Sequence, residues 1–206
     1  AGLRSFDRTM PEELNRIMID AVADYLFTPS TDADHNLLKE GISPDKIFFV
    51  GNIMIDSLQR YLPEAERSGI LAELQINPAQ YGLITLHRPP NVDEPSAQTE
   101  ILEACRRIAG NCQLIFPIHP RSRCHLAESG LLSQFEAIPQ LQLLEPLGYY
   151  DFLKLQKEAS FVLTDSGGVQ EETTFLGVPC LTLRPNTERP ITVEMGTNSL
   201  IPLQAG

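Results

Sequence analysis

Short apolar runs alternate along the chain with stretches whose apolar residues recur every three or four positions. Runs bounded by turn residues are typical of buried strands, and they occur at 25–28, 47–50, 81–86, 113–118, 141–144, 161–163, 180–183 and 199–201. Stretches with helical periodicity lie at 11–22, 31–40, 52–62, 64–74, 96–109, 149–158, 169–176 and 189–195. This alternation predicts an α/β fold with a parallel, doubly wound, Rossmann-like sheet.

The chain is predicted to divide into two unequal parts. Residues 1–62 contain only the first two predicted strands, which are too few for a complete sheet. We therefore expect residues 1–62 to be the C-terminal part of one Rossmann-like domain, and residues 63–206 to form a second, ligand-binding one. Pro63-Glu64 is interpreted as the linker between them.

Residues 161–183 have the pattern of a strand, a glycine turn, a helix and a second strand. Ser166, Gly167 and Gly168 form the turn, and Gly177 is placed to end the helix. In a βαβ unit such a turn lies at the carboxyl end of the sheet, where ligands bind. Two glycines allow a ligand to approach closely, and the unpaired N–H groups of the first helical turn suit a phosphate. Glu172 would then lie within reach of a ribose.

A second interpretation of this segment remains open. Ser166 could simply be the N-cap of a βα connection, with Glu171 and Glu172 on a solvated face of the helix. A single glycine turn does not distinguish the two interpretations.

Three further loops follow predicted strands and should lie at the same edge of the sheet. The first contains His87 and Arg88, which offer a group that titrates near neutrality and a permanent cation. The second repeats this pairing with His119 and Arg121, and the third places Arg189 at the start of a helix. A solvated strand end or a surface ion pair is the alternative interpretation of each loop.

Composition narrows the classes of partner. The sequence has 206 residues, 42% of them hydrophobic and 21% charged, as is ordinary for a globular protein. A net charge of −11 argues against a general nucleic-acid or anionic-membrane surface, so any phosphate site must be a local pocket. The four cysteines have no metal-ligand spacing, and we expect reduced thiols in a cytoplasmic protein.

Five motifs together resemble one family. They are the opening AGLRSFDRTMPEELNR, the HRPPNVD loop, IHPR, LTDSGGVQEE and GVPCLTLRPNTERP. Their order and spacing are similar to those of the non-hydrolysing UDP-N-acetylglucosamine 2-epimerase family, over nearly the whole chain. The resemblance implies the two-domain GT-B fold, with the active site in the cleft between two Rossmann-like domains.

The resemblance also implies roles for individual residues. Glu12 would be one of the catalytic carboxylates, and His87 a catalytic or leaving-group-assisting residue. The diphosphate and ribose of UDP would be held by the Ser166–Gly168 turn and by Glu172. Further residues match family positions that line the nucleotide or a neighbouring regulatory site, namely Arg88, His119 and Arg189.

The family reaction makes chemical sense of these residue types. A base removes the proton at C2 of the sugar while UDP leaves C1, and re-addition to the resulting glycal interconverts UDP-GlcNAc and UDP-ManNAc. This requires acid–base groups and electrostatic stabilisation of the diphosphate, and it calls for no metal or other cofactor. The family also suggests a homodimer and a role in polysaccharide precursor synthesis.

Two differences from the family bear on whether this sequence alone would have the activity of the family. Pro90 stands where many relatives carry glutamate, a milder difference that leaves the assignment of His87 intact. In the family, an essential glutamate immediately precedes the AGLR motif with which this sequence begins. We therefore expect this sequence to be an internal piece of an epimerase that binds UDP weakly and is inactive alone. A GT-B glycosyltransferase, a hydrolysing relative and a non-catalytic UDP-sugar-binding module remain alternatives.

Overall fold

Two parallel sheets form the framework of the structure, a computed structural model that describes residues 1–203. The strands are Leu26–Thr28 (β1), Ile47–Phe49 (β2), Tyr81–Thr85 (β3), Gln113–Pro117 (β4), Leu141–Leu144 (β5), Phe161–Thr164 (β6), Cys180–Thr182 (β7) and Asn198–Leu200 (β8). β1 and β2 pair with each other, and the other strands form a six-stranded sheet in the order β5-β4-β3-β6-β7-β8. Every pairing is parallel, which confirms the predicted sheet.

Helices connect the strands and cover both faces of the larger sheet. They are Pro11–Val22 (α1), Thr31–Lys39 (α2), Ile53–Glu66 (α3), Ile70–Glu73 (α4), Pro89–Val92 (α5), Pro95–Ala109 (α6), Pro120–Glu128 (α7), Leu132–Glu136 (α8), Tyr149–Glu158 (α9), Gly167–Leu176 (α10) and Pro190–Glu194 (α11). Their ends follow local sequence: Pro11 opens α1, and Gly177 ends α10 with a left-handed φ of 73°. No helix in residues 1–203 is long and apolar enough to cross a membrane.

The core of the larger sheet has two sides. Alternate residues of β3 face opposite ways, so that Ile84 belongs to one buried cluster and Leu83 to the other. The first cluster packs against α6 and α8 through Leu102 and Phe135, and the second packs against α9 through Leu155. Because both faces are covered, the loops at the carboxyl edge are where functional side chains can gather.

The predicted linker at Pro63-Glu64 is wrong. α3 runs without interruption from Ile53 to Glu66, so both residues are helical. The helix keeps the proline because tertiary packing outweighs the lost hydrogen bond: Leu58 and Ala65 are fully buried against Leu153 of α9. The helix predicted at 64–74 is correspondingly replaced by the end of α3 and the short α4.

The apolar stripe predicted for α1 faces away from the other described residues. Met18 and Val22 are 59% and 82% exposed, whereas Glu13 and Asp20 on the opposite face are buried. Glu13 accepts hydrogen bonds from the backbone N–H groups of Ser5 and Phe6, and Asp20 pairs with the buried Arg4 at 2.8 Å. A polar network therefore attaches α1 to the first residues of the chain.

Candidate functional site

The strand order places two of the predicted loops side by side. β3 and β6 are neighbours, with Thr85 paired to Thr164, although 78 residues separate His87 from Asp165. The chain proceeds from β3 toward β4 on one side and from β6 toward β7 on the other. This is the point where the strand order reverses, and ligands of open α/β sheets bind in the crevice that it creates.

Asp165 organises this crevice. Its carboxylate is fully buried and accepts hydrogen bonds from the backbone N–H groups of His87 and Arg88, at 3.1 and 2.9 Å. It also accepts from the Asn91 amide at 3.0 Å, and its Oδ1 lies 3.0 Å from His87 Nδ1. A single side chain after β6 thus fixes the backbone and the imidazole of the loop after β3.

These contacts shift the pKa values of Asp165 and His87 in opposite directions. Burial opposes ionisation of Asp165, but the hydrogen bonds from His87, Asn91 and Arg88 outweigh it and lower the pKa of the carboxyl. The hydrogen bond to Asp165 raises the pKa of His87 against the smaller effect of burial. His87 Nδ1 is the atom that faces Asp165, so Nε2 is the nitrogen left for a ligand.

The pKa of His87 makes a testable prediction about stability. Because its folded-state pKa is raised above 6.5, His87 contributes stability that is complete below pH 6.5 and is lost as the pH rises through the folded-state value. We expect an NMR titration of His87 to give a pKa above the reference value of 6.5 for an unperturbed histidine. A His87 pKa below the reference value would contradict the described pairing.

A cavity of about 870 Å³ opens beside this loop. Glu12, at the start of α1, lines it together with His87 and Arg88 from the loop after β3. Arg184, which follows β7, contributes a further cationic side chain. The cavity therefore combines a carboxylate, an imidazole and guanidinium groups that lie far apart in the sequence.

The glycine turn lies at the N-terminus of α10. Ser166 is the N-cap, its side chain makes no capping hydrogen bond, and Gly167 and Gly168 are the first helical residues. A Cβ added to Gly167 would lie 2.5 Å from Glu188 Oε1, and one added to Gly168 would lie 3.0 Å from Met54 Cε. The helix end thus presents free backbone N–H groups in a confined space that any side chain would fill.

Two acidic side chains follow along α10. Glu172 is buried, and its Oε1 accepts a hydrogen bond from the Tyr149 hydroxyl at 3.2 Å. Glu171 lies 3.1 Å from Arg189 Nε. The Glu171 side chain and Glu172 are only 10% and 7% exposed, so the alternative interpretation in which they lie on a solvated face is wrong. Burial raises the pKa of both carboxyl groups.

Comparison with known proteins places this arrangement in a family. The sequence profile of the UDP-N-acetylglucosamine 2-epimerase family matches residues 1–206. The chain belongs to the UDP-N-acetylglucosamine 2-epimerase family. The UDP-N-acetylglucosamine 2-epimerase of Methanocaldococcus jannaschii is 46% identical over 98% of this chain and 56% of its own length. The UDP-2,3-diacetamido-2,3-dideoxy-D-glucuronate 2-epimerase of Pseudomonas aeruginosa is 40% identical over 98% of this chain and 55% of its own length.

A solved structure supports the same assignment. The crystal structure of the M. jannaschii UDP-GlcNAc 2-epimerase in complex with UDP-GlcNAc and UDP has a TM-score of 0.90, and the match covers 98% of this chain and 57% of that one. The similarity confirms the predicted Rossmann-like fold of GT-B type. This member of the epimerase family spans little more than half the length of the curated relatives it matches.

Of the predicted site residues, Glu12, His87 and Arg88 line the cavity. The remaining ones do not line it, namely His119, Ser166, Gly167, Gly168, Glu172 and Arg189. His119 is an exposed N-cap of α7, where its Nδ1 accepts a hydrogen bond from Arg121 N–H, and it does not line the cavity. Arg189 lies instead beside Glu171 on the α10 side. Within residues 1–203, no group of three or more His, Cys, Asp or Glu side chains is arranged to hold a metal ion.

Sequence reasoning missed four residues that shape the site, namely Asn91, Asp165, Arg184 and Glu188. Asn91 donates to Asp165 and to Leu183 O, which joins the loop after β3 to the end of β7. Arg184 and Glu188 form a buried ion pair at 2.7 Å. Burial opposes the ionisation of Glu188, but Arg184 outweighs this effect and lowers the pKa of Glu188 to about 2. A polar residue directly after an apolar strand, as Asp165 is, was the available signal.

Proposed function

We propose that this chain forms the nucleotide-binding part of an enzyme that interconverts UDP-GlcNAc and UDP-ManNAc. The observation that carries the proposal is the shared cavity, in which Glu12 of α1 faces His87 and Arg88 at the carboxyl edge of the larger sheet. A carboxylate and an imidazole across one space are the groups that a proton-transfer reaction at a sugar carbon requires. Membership of the epimerase family supports the same reaction.

The nucleotide would lie along the carboxyl edge of β6. In this proposal, Ser166, Gly167 and Gly168 bind the diphosphate through the hydroxyl and the free N–H groups at the start of α10. Glu172 accepts hydrogen bonds from the ribose. Arg88 and Arg189 add positive charge, and His119 extends the site toward β4.

The chemistry would proceed by elimination and re-addition. A base takes the C2 proton, the C2–H electron pair forms the C1=C2 bond of the glycal, and the C1–O electron pair leaves with UDP. Protonation of C2 on the opposite face and attack of UDP on C1 complete the epimerisation. Glu12 acts as one of the acid–base carboxylates, and His87, whose protonated form is favoured by the hydrogen bond to Asp165, stabilises the departing diphosphate.

The wider setting of this function stays a prediction. We propose that residues 1–62 and 63–206 belong to two Rossmann-like domains, and that the cavity lies in the cleft between them. We further propose that the enzyme is a cytoplasmic homodimer, acts without a cofactor and has no nucleic-acid or membrane partner.

A hybrid enzyme would test the reaction. We expect a protein in which this chain replaces the matching segment of the M. jannaschii relative to convert UDP-GlcNAc into UDP-ManNAc, with solvent deuterium entering C2. The chain alone should bind UDP weakly and give no turnover. A hybrid that folds and binds UDP-GlcNAc but exchanges no C2 proton would contradict the proposal and favour a binding module.

Other products would point to the remaining alternatives. Free ManNAc together with UDP would indicate a hydrolysing relative. Transfer of GlcNAc to an added acceptor, with no 2-epimer from UDP-GlcNAc alone, would indicate a glycosyltransferase.

A further inference from the structure

Glu172 is held by a neighbouring helix. Tyr149 is the first residue of α9, and its hydroxyl donates to Glu172 Oε1 on α10. Gln156, two helical turns further along α9, lies on the same face as Tyr149 and is fully buried. The Glu172 carboxylate on one helix therefore contacts the hydroxyl group at the start of another.

The carboxylate would be a poor ribose ligand without this support. Burial raises the pKa of Glu172, and the hydrogen bond from the Tyr149 hydroxyl acts against that effect. A protonated carboxyl group would offer fewer acceptor positions to the two hydroxyl groups of a ribose. A donor on Oε1 stabilises the ionised form and leaves Oε2 to accept from a ligand.

The phenol of Tyr149 is itself held in position and remains protonated. Its ring meets that of Tyr61 of α3 edge-on, with centroids 6.3 Å apart and an interplanar angle of 81°. Burial and the charge of Glu172 raise the pKa of Tyr149 to about 12, so the hydroxyl is a donor at neutral pH. The hydrogen bond thus has a fixed direction, from Tyr149 to Glu172.

From these contacts we propose that Tyr149 is a positioning residue, which orients the Glu172 carboxylate so that it can recognise the ribose diol of the nucleotide. The inference rests on the proposed function, in which Glu172 binds the ribose. It assigns Tyr149 a role in ribose specificity.

The test compares two nucleotides that differ only in the ribose. UDP and 2′-deoxyuridine diphosphate are titrated calorimetrically into the wild-type chain, Tyr149→Phe and Glu172→Gln. We expect Tyr149→Phe to weaken UDP binding about five- to tenfold while affecting the deoxynucleotide much less, because a hydrogen bond to a charged group is lost. Glu172→Gln should reduce the preference for UDP at least as strongly.

Tyr150→Phe is the matched control. Tyr150 is adjacent on α9 and 46% exposed, and no hydrogen bond of its hydroxyl occurs within the described residues. Removal of the Tyr150 hydroxyl should leave the affinities for UDP and for 2′-deoxyuridine diphosphate, and the melting temperature, unchanged.

The possible failures are distinguishable. If the wild-type chain does not bind UDP, or if Glu172→Gln keeps the wild-type preference, the ribose site itself is wrong and this inference falls with it. If Glu172→Gln abolishes the preference but Tyr149→Phe retains it, only the role of Tyr149 is refuted. Equal weakening of both nucleotides by Tyr149→Phe would likewise refute it, since a purely structural effect would not distinguish the sugars.

Discussion

Asp165→Ala is expected to lower the free energy of unfolding by about 3–5 kcal/mol and to abolish the ordered loop after β3. The alanine would leave the backbone N–H groups of His87 and Arg88 and the amide of Asn91 without their buried acceptor. It would also release the His87 imidazole, whose only described carboxylate partner is Asp165. Urea denaturation monitored by circular dichroism measures the change.

A milder substitution separates the site from the fold. Asp165→Asn keeps one acceptor oxygen, so we expect a smaller loss of about 1–3 kcal/mol and a folded protein. Without the negative charge, the pKa of His87 should fall toward its ordinary value, which an NMR titration detects. Asp56→Asn on the exposed surface of α3 is the control and should change neither quantity. If the pKa of His87 in Asp165→Asn were the same as in the wild-type protein, the assigned hydrogen bond between His87 and Asp165 would be contradicted.

Gly167→Ala should weaken UDP binding about 10- to 100-fold, or about 1.4–2.7 kcal/mol. The new Cβ would lie 2.5 Å from Glu188 Oε1, and Glu188 has little freedom to move because it is paired with Arg184 in the interior. The methyl group would also occupy space through which a phosphate approaches the first N–H groups of α10. Calorimetric titration with UDP provides the measurement.

A loss of UDP affinity in Gly167→Ala would report on the binding site and not on unfolding of α10. Alanine favours a helix over glycine by about 1 kcal/mol, so the substitution alone should not unfold α10. Gly69→Ala is the control, since a Cβ at this position meets nothing within 4 Å. If Gly167→Ala bound UDP as tightly as Gly69→Ala does, the diphosphate would not lie on this turn.

The parallel sheet and much of its loop edge could be predicted because they depend on local sequence. The apolar run before Thr164 and the glycines after it define a strand and a helix start, and His87 follows another such run. Parallel strands end at one edge, so these residues were correctly expected on the same side of the sheet. The buried state of Glu172 depends on α9 and could not be predicted from periodicity in α10 alone.

Other features depend on contacts between distant segments. That Asp165 supports His87 follows from the pairing of β3 with β6, which no local pattern specifies. Likewise, Pro63 reads locally as a helix breaker, and only the burial of Leu58 and Ala65 against α9 explains why the helix continues. The bounds of α7 were not predicted because its sequence is largely polar, although Pro120 at its first position was a helix-start signal.

The strand order has a consequence for divergence. β3, β6 and β7 are neighbours in the larger sheet, and the loops that follow β3 and β7 supply residues that line the cavity. Substitutions in those loops can change the lining of the cavity while the packed framework is inherited unchanged. Asp165 is the exception, because it belongs to both: a lineage that exchanged it would have to rebuild the loop after β3 at the same time.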